Sequence, residues 1–564
     1  MLLKGPIFLE AYTPGQTEQS RVFVDPVGEV VATDLDQVSS ALEEIEQAVD
    51  RGLHAVGFIS YEAASGLDRA LRTHEAGDLP LVYFGLFKDK EESGAWGKGG
   101  DYSIGESEPS VSPEEYAAAI ERIRAYIAAG DTYQVNYTFR LRSDFEGDPV
   151  AFYRDMCRAQ GAAYCGYIDL GRHVLISASP ELFFRVRDGC CSTRPMKGTR
   201  PRGRWLEEDA SLAAQLRESA KDRAENTMVT DLLRNDLGKV SQVGSVRVPA
   251  LWSIERYPTV WQLTSTVESQ LREGVGLGEI VAALFPCGSI TGAPKVRTME
   301  IIAELEPQPR GIYTGCLGYW SPGGEACFNV AIRTAHLDRD KGELEFGVGG
   351  GVTWGSSVEG EYAECLVKAQ VLQVKRPVFK LLETLLYEGG EYFLLDRHLE
   401  RLEKSAGYWG YPYALHEVSN ELEDLAKTLG KNRFRVRLTL GNQGEVEVQY
   451  QDIVEVRRLR VALAGEKVDS ADPFLYHKTT HRDSYEKPLA ARPDCDDVIL
   501  YNERGELTEC SIGNLVVEFN GVRYTPPIES GLLAGTFRAE LLARGKISER
   551  VLRVDELAGA DALY

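Results

Sequence analysis

A proline at position 377 divides this 564-residue chain into two parts. A helical pattern over 358–373 leads into the stretch VKRP (374–377), and a helix normally ends by the residue before a proline. A new hairpin-like pattern, FKLLETLLYEGGEYFLLD, follows directly at 379–396. Because a domain commonly has roughly 100 to 200 residues, each part is long enough to bury a core of its own.

A second boundary lies near residue 111. Residues 91–112 are rich in Gly, Ser and Glu, and they end in SPEE (112–115), where Ser112 is suited to cap a helix that starts at Pro113. We therefore predict an N-terminal region over 1–110, a central domain over 111–375 and a C-terminal domain over 378–564. Strand and helix patterns alternate along the chain, which predicts an α/β (α+β) fold.

Hydrophobic patterning gives more detail for the central domain. It predicts a helix over 113–129, a strand over 133–142 and strands at 163–169, 173–179 and 182–187. Further along, it predicts helices near 205–236, 255–271, 277–285 and 293–304. The remaining predicted strands cover 313–320, 326–336 and 343–348.

The charge balance and the cysteines exclude several classes of protein. The formal net charge is −23, which disfavours nonspecific binding to nucleic acid or anionic lipid, because both need a basic surface. No stretch approaches the ~20 apolar residues that span a bilayer, and the N-terminus lacks a leader pattern. The ten cysteines have no disulfide-framework spacing. We predict a cytoplasmic protein with reduced thiols that binds neither nucleic acid nor membrane.

Two predicted helices carry carboxylates on one face. Glu361, Glu364 and Lys368 recur at helical spacing in one helix, and Asp222 and Glu225 do so in another. Such faces are commonly solvated and crossed by ion pairs. Two carboxylate faces could also meet over a divalent cation, for which oxygen ligands favour Mg²⁺. Spacing alone leaves both interpretations open.

A charged strand position and a glycine run are further candidates. Arg333 lies in the alternating stretch FNVAIRT (328–334) and could face solvent or clamp a carboxylate. The run GVGGGVT (347–353) could let backbone N–H groups approach an anion. It is not a phosphate-binding loop of the Walker type, because no Gly-Lys-Ser/Thr follows.

Taken together, nine motifs resemble the chorismate-utilising enzyme family and follow its order. They are GDTYQVNYT (130–138), SASPELFF (177–184), RPMKGTRPR (194–202), KDRAENTMVTDLLRNDL (221–237), GSITGAPKVRTMEII (288–302), YTGCLGY (313–319), NVAIRTA (329–335), GGGVT (349–353) and EYAECLVKA (361–369). The resemblance implies a large α/β sandwich that binds chorismate over Mg²⁺. It implies that Glu225 and Glu364 are metal ligands, with Asp222 and Glu361 in or near the surrounding shell. The positions that match the chorismate-binding residues are Gly198, Thr199, Tyr313, Arg333, Gly349, Gly350, Gly351 and Lys368.

The residue before the Gly-Thr pair separates subgroups of this family. Members that make anthranilate usually have Ala there, whereas this chain has Lys197, as in the aminodeoxychorismate synthase subgroup. The resemblance implies that Lys197 attacks the ring at C2 and that Glu181 serves as general acid and base. Tryptophan feedback is not expected, because the Pro-x-Pro-Tyr motif is replaced by GAAY (161–164), and Gln262 stands where some relatives have His.

The chain shows no glutaminase motif of its own. A Gly-x-Cys-x-Gly nucleophile motif with a distant His and Glu is absent from the sequence. We therefore expect a separate glutamine amidotransferase subunit, or ammonia from solution, to supply the nitrogen.

The C-terminal domain resembles the fold-type IV pyridoxal-phosphate enzymes. Lys478 alone would be read as a surface lysine, but FLYHKTTHRDSYEKP (474–488) is followed by ELTECSIGNLVVEFNGVRYTPP (506–527) and GLLAGTFR (531–538). With FKLLETL (379–385) and LLDRHLERLEKSA (394–406), these match the aminodeoxychorismate lyases among those enzymes. The resemblance implies pyridoxal 5′-phosphate as cofactor and, by analogy with other members, a homodimer.

The residues carried over for that cofactor are five. Lys478 would bind it and move the substrate proton, Glu509 would face the pyridine nitrogen and Arg401 the phosphate. Gly535 and Thr536 would add backbone N–H groups at a helix start, and Thr384 matches a substrate-side threonine. Relatives continue beyond this sequence with another phosphate-binding motif, so the domain is expected to be short at its C-terminus.

Our leading hypothesis is an enzyme with two activities. The first part would make 4-amino-4-deoxychorismate and the second would release pyruvate from it to give para-aminobenzoate. One alternative is an anthranilate synthase component joined to an aminotransferase. Another is an active first part with a C-terminal domain that serves only for docking.

Overall fold

The computed structural model describes residues 3, 5–12, 20–92, 100–453 and 458–564. These form two compact units. The first unit consists of Met1–Pro201 and Ala214–Arg376, and the second unit consists of Arg202–Ala213 and Pro377–Tyr564. Residues 93–99 of the Gly/Ser/Glu-rich stretch, and part of the N-terminus examined for a leader, lie outside the described residues. Within the described ranges, no helix is long and apolar enough to cross a membrane.

The first unit contains two large antiparallel sheets. The first sheet has eleven strands, in the order Gly292–Ala293, Gln134–Gly147, Glu343–Val352, Thr334–Asp338, His173–Ser179, Tyr164–Asp169, Ile7–Glu10, Arg21–Phe23 and Glu91–Glu92, with Tyr102–Ile104 and Glu108–Pro109 also paired to Gln134–Gly147. The second has ten, in the order Met196–Pro201, Val260–Gln270, Cys190–Arg194, Leu182–Arg187, Glu325–Val330, Cys316–Ser321, His54–Ile59, Val82–Phe87 and Gly28–Ala32, with Arg247–Arg256 paired to Val260–Gln270.

Helices accompany both sheets of this unit. They are Val38–Asp50, Ala64–Leu67, Pro113–Ala129, Pro149–Gln160, Ala220–Gly238, Leu277–Leu284, Lys295–Leu305 and Val358–Ala369, and Leu206–Glu218 spans the division between the units. The helix Pro113–Ala129 has the predicted bounds. Its start is fixed because Ser112 Oγ accepts a hydrogen bond from the Glu115 N–H at 3.1 Å, and it ends at Gly130 in the left-handed conformation.

One predicted helix is wrong. The stretch 255–271 forms the strand Val260–Gln270, which is preceded by the strand Arg247–Arg256. Its β-branched residues fit a pleated sheet, and it pairs with three neighbouring strands. Pairing with the preceding strand and with the more distant strands Cys190–Arg194 and Met196–Pro201 therefore fixed the conformation, which periodicity within this stretch did not show.

The second unit has three smaller sheets. The first contains Glu391–Tyr392, Leu381–Glu388, Phe434–Leu440 and Val446–Asp452; the second Val461–Leu463, Asp497–Tyr501 and Leu507–Cys510; the third Ser548–Glu549, Val522–Thr525, Val517–Phe519 and Ala562–Leu563. Its longer helices are Leu395–Trp409, Leu415–Leu429, Asp483–Ala490 and Thr536–Ala543. The predicted hairpin over 379–396 is present as Leu381–Glu388 paired with Glu391–Tyr392.

Candidate active sites

Lys197 lies at an irregularity of the strand Met196–Pro201. The pairing of this strand with Val260–Gln270 shifts register between Met196 and Thr199. Gly198 has φ +93°, and a Cβ there would lie 2.8 Å from Cβ of Asp222, so only glycine fits this turn of the backbone against the helix Ala220–Gly238.

Gln262, on the neighbouring strand, forms hydrogen bonds to the residues at this register shift. Its Nε2 donates to the Gly198 carbonyl at 2.9 Å, and its Oε1 accepts from Thr199 Oγ1 at 2.9 Å. The side chain that replaces the histidine of some relatives therefore holds the backbone next to Lys197.

Glu181 and Lys197 influence each other's protonation. Glu181 is only 3% exposed, and its Oε1 has no hydrogen-bond partner among the described residues. Burial raises the pKa of Glu181 to about 7, against the effects of Ser289 and Lys197. Burial also lowers the pKa of Lys197, which the charge of Glu181 opposes and that of Lys368 reinforces. Burial therefore disfavours the charged form of both groups, and their mutual attraction opposes that effect.

The predicted glycine run lies in the strand Glu343–Val352, with close neighbours on both faces. A Cβ at Gly351 would come 2.0 Å from Nε2 of Gln134 and 3.6 Å from Nζ of Lys197. A Cβ at Gly350 would lie 2.8 Å from Oε2 of Glu361. A Cβ at Gly349 would lie 2.5 Å from the Tyr137 carbonyl. Gly351 therefore faces the lysine and Gly350 faces the carboxylate helix.

Lys368 and Arg333 border this strand on the helix side. Lys368 Nζ donates to the Gly349 carbonyl at 2.8 Å and forms a 2.7 Å ion pair with Glu364. A guanidinium N–H of Arg333 donates to the Lys368 carbonyl. Arg333 has φ +51°, so the predicted carboxylate clamp sits on backbone that non-glycine residues rarely adopt.

Tyr313 closes the other end of the glycine run. A Cβ at Gly347 would be 2.1 Å from Cγ of Tyr313, so the ring lies directly on the strand backbone. The Arg140 guanidinium is 5.1 Å from the ring centroid. Tyr313 also lines a polar cavity of ≈ 350 Å³, together with His173 and His336.

The predicted metal ligands are oxygen donors that are paired with nearby cations. Asp222 lies 3.2 Å from Arg200, and Glu225 lies 3.8 Å from Lys221. Among the described residues, no three His, Cys, Asp or Glu side chains are gathered so that they could hold a metal ion. Burial raises the pKa of Glu225, and the negative charges of Asp222 and Glu361 add to this. A bound cation would reverse that repulsion, so the donor chemistry fits Mg²⁺.

Lys478 lies in an extended segment beside the first strand of the second unit. Its carbonyl accepts from the Leu382 N–H at 2.9 Å, and the Thr480 N–H donates to Lys380 at 2.9 Å. Burial lowers the pKa of Lys478 to about 8, and the positive charge of Arg401 contributes to this. The amine can therefore be neutral slightly above physiological pH.

Glu509 is a buried carboxyl group with three donors. The Tyr485 hydroxyl is 2.9 Å away, Asn514 Nδ2 3.0 Å and the Leu533 N–H 2.9 Å. Burial raises the pKa of Glu509 to about 7, although these donors favour the charged form. At this position the Glu509 carboxylate would pair favourably with a positively charged ring nitrogen.

Arg401 is held by Glu383, which sequence reasoning missed. The Nε and Nη2 atoms of Arg401 donate to the Glu383 carboxylate at 2.9 and 2.6 Å, and Nη1 donates to the Ala534 carbonyl at 3.2 Å. Burial alone would raise the pKa of Glu383, but Arg401 and His398 outweigh it and lower the pKa to about 2. Two features of the sequence could have indicated this ion pair: a charged residue inside the apolar stretch LLETLL, and a histidine three positions before Arg401.

Gly535 and Thr536 begin the helix Thr536–Ala543. A Cβ at Gly535 would be 1.8 Å from Oδ1 of Asn514, and Thr536 Oγ1 is 3.3 Å from His398 Nε2. The start of this helix lies near Arg401, because Arg401 donates a hydrogen bond to the carbonyl of Ala534, the residue before Gly535. An anion-binding site would need this arrangement. Thr384 follows Glu383 in the strand Leu381–Glu388 and so points to the opposite face.

Comparison with known proteins identifies the first unit. Residues 97–374 match the chorismate binding enzyme family. The chain is 36% identical over 358 residues to aminodeoxychorismate synthase component 1 of Bacillus subtilis (strain 168), across 57% of this chain and 76% of that protein. The chain belongs to the chorismate-binding enzyme family. The predicted family and α/β (α+β) fold are thereby confirmed.

Two further relatives of this chorismate-binding chain define the extent of similarity. Aminodeoxychorismate synthase component 1 of Klebsiella aerogenes is 44% identical over 259 residues, which cover 46% of this chain and 57% of that protein, so the chain spans little more than half of it. Anthranilate synthase component I from Streptococcus pneumoniae TIGR4 has a similar fold, with a TM-score of 0.56, 24% identity and coverage of 64% of this chain and 93% of that one. Residues 380–564 match amino-transferase class IV.

Proposed function

We propose that the chain makes para-aminobenzoate from chorismate and ammonia in two steps. The first unit would form 4-amino-4-deoxychorismate, and the second would eliminate pyruvate from that product. The observation that carries the proposal is the position of Lys197. It lies beside Gly351 of the glycine run, and the charge of Glu181 acts on its pKa. The match of residues 380–564 to amino-transferase class IV supports the second step, because that half would consume what a lysine-dependent first half makes.

In the first step, Lys197 would act as the nucleophile. Its neutral amine would form a bond to ring carbon C2 while both ring double bonds shift towards C4 and the C4–O bond breaks. Glu181, protonated in part near neutral pH because its pKa is about 7, would give its proton to the departing hydroxyl, which leaves as water. Ammonia would then add at C4 and displace Lys197 from C2.

The remaining residues of the first site would hold the substrate. The N–H groups of the glycine run, the Lys368 ammonium and the Arg333 guanidinium suit the two carboxylates of chorismate. Tyr313 would border the ring, and Gly198 and Thr199 would place backbone next to it. Mg²⁺, when bound by Glu225 and Glu364 with Asp222 and Glu361 in or near the surrounding shell, would neutralise carboxylate charge and polarise the leaving oxygen.

In the second step, Lys478 would bind pyridoxal phosphate and then move the proton at C4 of the substrate. Its pKa of about 8 suits a group that gives and takes a proton near neutral pH. Glu509 would pair with the pyridine nitrogen, and Arg401 with the N–H groups of Gly535 and Thr536 would hold the phosphate. The cofactor supplies an electron sink for the elimination.

We further propose a separate glutamine amidotransferase as the source of ammonia, a cytoplasmic location and a homodimer formed through the C-terminal domain. The functional division would follow the sequence boundaries, with the synthase over 1–375 and the lyase over 378–564. An anthranilate synthase joined to an aminotransferase is disfavoured by Lys197, where that class usually has Ala.

Product analysis tests the proposal directly. The purified chain is given chorismate, Mg²⁺, ammonium and pyridoxal phosphate, and the products are resolved by mass. We expect para-aminobenzoate and pyruvate in equal amounts, and accumulation of aminodeoxychorismate in the Lys478→Ala variant. Anthranilate as the product would overturn the role of the first unit. If the unaltered chain produced aminodeoxychorismate without pyruvate, the proposed role of the second unit would be overturned.

A further inference from the structure

The segment Arg202–Ala213 precedes the C-terminal domain in sequence by more than 160 residues but belongs to the same compact unit. We refer to it as the inserted segment. It directly follows the strand Met196–Pro201, which carries Lys197. The second unit is therefore built from two separate stretches of chain.

Buried polar contacts fix the start of the inserted segment. The Arg202 side chain is 8% exposed and the Asp209 side chain 3%, and they form two hydrogen bonds of 2.7 Å each. Arg202 also donates to the Tyr408 carbonyl at 2.8 Å, and the Tyr408 hydroxyl donates to the Gly203 carbonyl at 2.7 Å. A buried ion pair with its donors satisfied in this way demands one particular geometry.

Arg204 and Trp205 carry the contact towards the cofactor lysine. Arg204 Nη1 donates to the Tyr476 hydroxyl at 3.1 Å, and the rings of Trp205 and Tyr476 are 5.2 Å apart. Trp205 also packs against the apolar cluster that contains Tyr476 and Tyr485. These are ordinary aromatic contact distances, and such contacts fix orientation as well as bury area.

Tyr476 and Tyr485 lie next to the two main residues of the candidate cofactor site, Lys478 and Glu509. Tyr476 is two residues before Lys478, and the residue between them, His477, stacks on Tyr408 with ring centroids 4.3 Å apart. Tyr485 donates its hydroxyl to Glu509 at 2.9 Å. Arg204 and Trp205 thus contact Tyr476 near the lysine, and Trp205 packs against the cluster whose Tyr485 reaches the carboxylate.

We propose that the inserted segment is a positioning element of the pyridoxal phosphate site, with Trp205 holding Tyr476 and Tyr485 and thereby placing Lys478 and Glu509. This role rests on the proposed cofactor function of the second unit. It means that the C-terminal domain obtains part of its cofactor site from the sequence of the first half of the chain.

The test uses the full-length chain and the binding of pyridoxal phosphate. We expect Trp205→Ala to weaken its affinity about tenfold, the size of effect that loss of a buried aromatic contact produces. The absorbance band of the bound cofactor should also titrate at a different pH, because Lys478 and Glu509 are placed differently. Glu207→Gln is the matched control in the same segment, since its exposed pair with Lys404 contributes little.

A conservative variant separates positioning from loss of folding. Trp205→Phe keeps a ring at the contact and should recover affinity to within about twofold of the unaltered chain. Unchanged affinity and titration in Trp205→Ala, or no recovery in Trp205→Phe, would overturn the proposal. If the unaltered chain bound no pyridoxal phosphate, the proposed function of the second unit would fail instead, which distinguishes the two outcomes.

Discussion

Each candidate site contains a half-buried lysine with a lowered pKa, but the charges beside the two lysines have opposite signs. After burial, the largest influence on the pKa of Lys197 is the carboxyl group of Glu181, which opposes the shift. After burial, the largest influence on the pKa of Lys478 is the guanidinium of Arg401, which reinforces the shift. The first lysine therefore has a carboxyl group that favours its charged form, whereas burial and a neighbouring guanidinium both make the second less basic. The pKa of the same residue type is therefore lowered in two physically different environments.

The largest expected effect is the loss of one step without the other. Lys197→Ala should reduce formation of aminodeoxychorismate about a thousandfold and leave pyruvate release from added aminodeoxychorismate unchanged, because the chemistry of each step depends on its own amine. Lys478→Ala should do the reverse. Each step is measured separately by product quantification. The exposed Lys487→Ala serves as control, and full amination activity in Lys197→Ala would remove this lysine from the mechanism.

Altering the neighbouring charges should shift the two lysines in opposite directions. Glu181→Gln removes an attraction and should lower the pKa of Lys197, whereas Arg482→Gln removes a repulsion and should raise that of Lys478. The measurement is the pH dependence of labelling of each lysine by an amine-directed reagent, resolved by peptide mass in the cofactor-free protein. Shifts of the same sign in both variants would break the comparison.

The smallest effect concerns stability against pH. Glu509 has a pKa of about 7 in the folded chain and an ordinary value of 4.5, so unfolding free energy is lost as pH rises from 4.5 to 7 and not beyond. Glu509→Gln should remove about 3 kcal/mol of that loss. Glu383, with a pKa of about 2, acts with the opposite sign, because its contribution is lost as pH falls below 4.5. Denaturant titrations of the cofactor-free protein at several pH values measure both, and an unchanged pH profile in Glu509→Gln would contradict this account.

Local patterns predicted many of the helices and strands, whereas the candidate site residues came from the resemblance to known families. The helix Pro113–Ala129 was recoverable because its cap, its proline and its terminal glycine are all local signals. The strand Val260–Gln270 was not, since two of its three pairing partners, Cys190–Arg194 and Met196–Pro201, are distant in sequence. Glu383 escaped for a similar reason. Its role depends on Arg401, a contact that burial of both groups creates and that no short motif encodes.

The inserted segment has a consequence for synthesis on the ribosome. Arg202–Ala213 is complete 164 residues before Pro377, where the rest of its unit begins. At about 5 to 20 residues per second, that interval lasts roughly 8 to 33 s. During this time Trp205 cannot yet contact Tyr476, and Arg202 cannot yet contact Tyr408. The nascent chain therefore carries an unfilled contact surface for at least this interval, and the second unit can close only when the C-terminal domain has emerged.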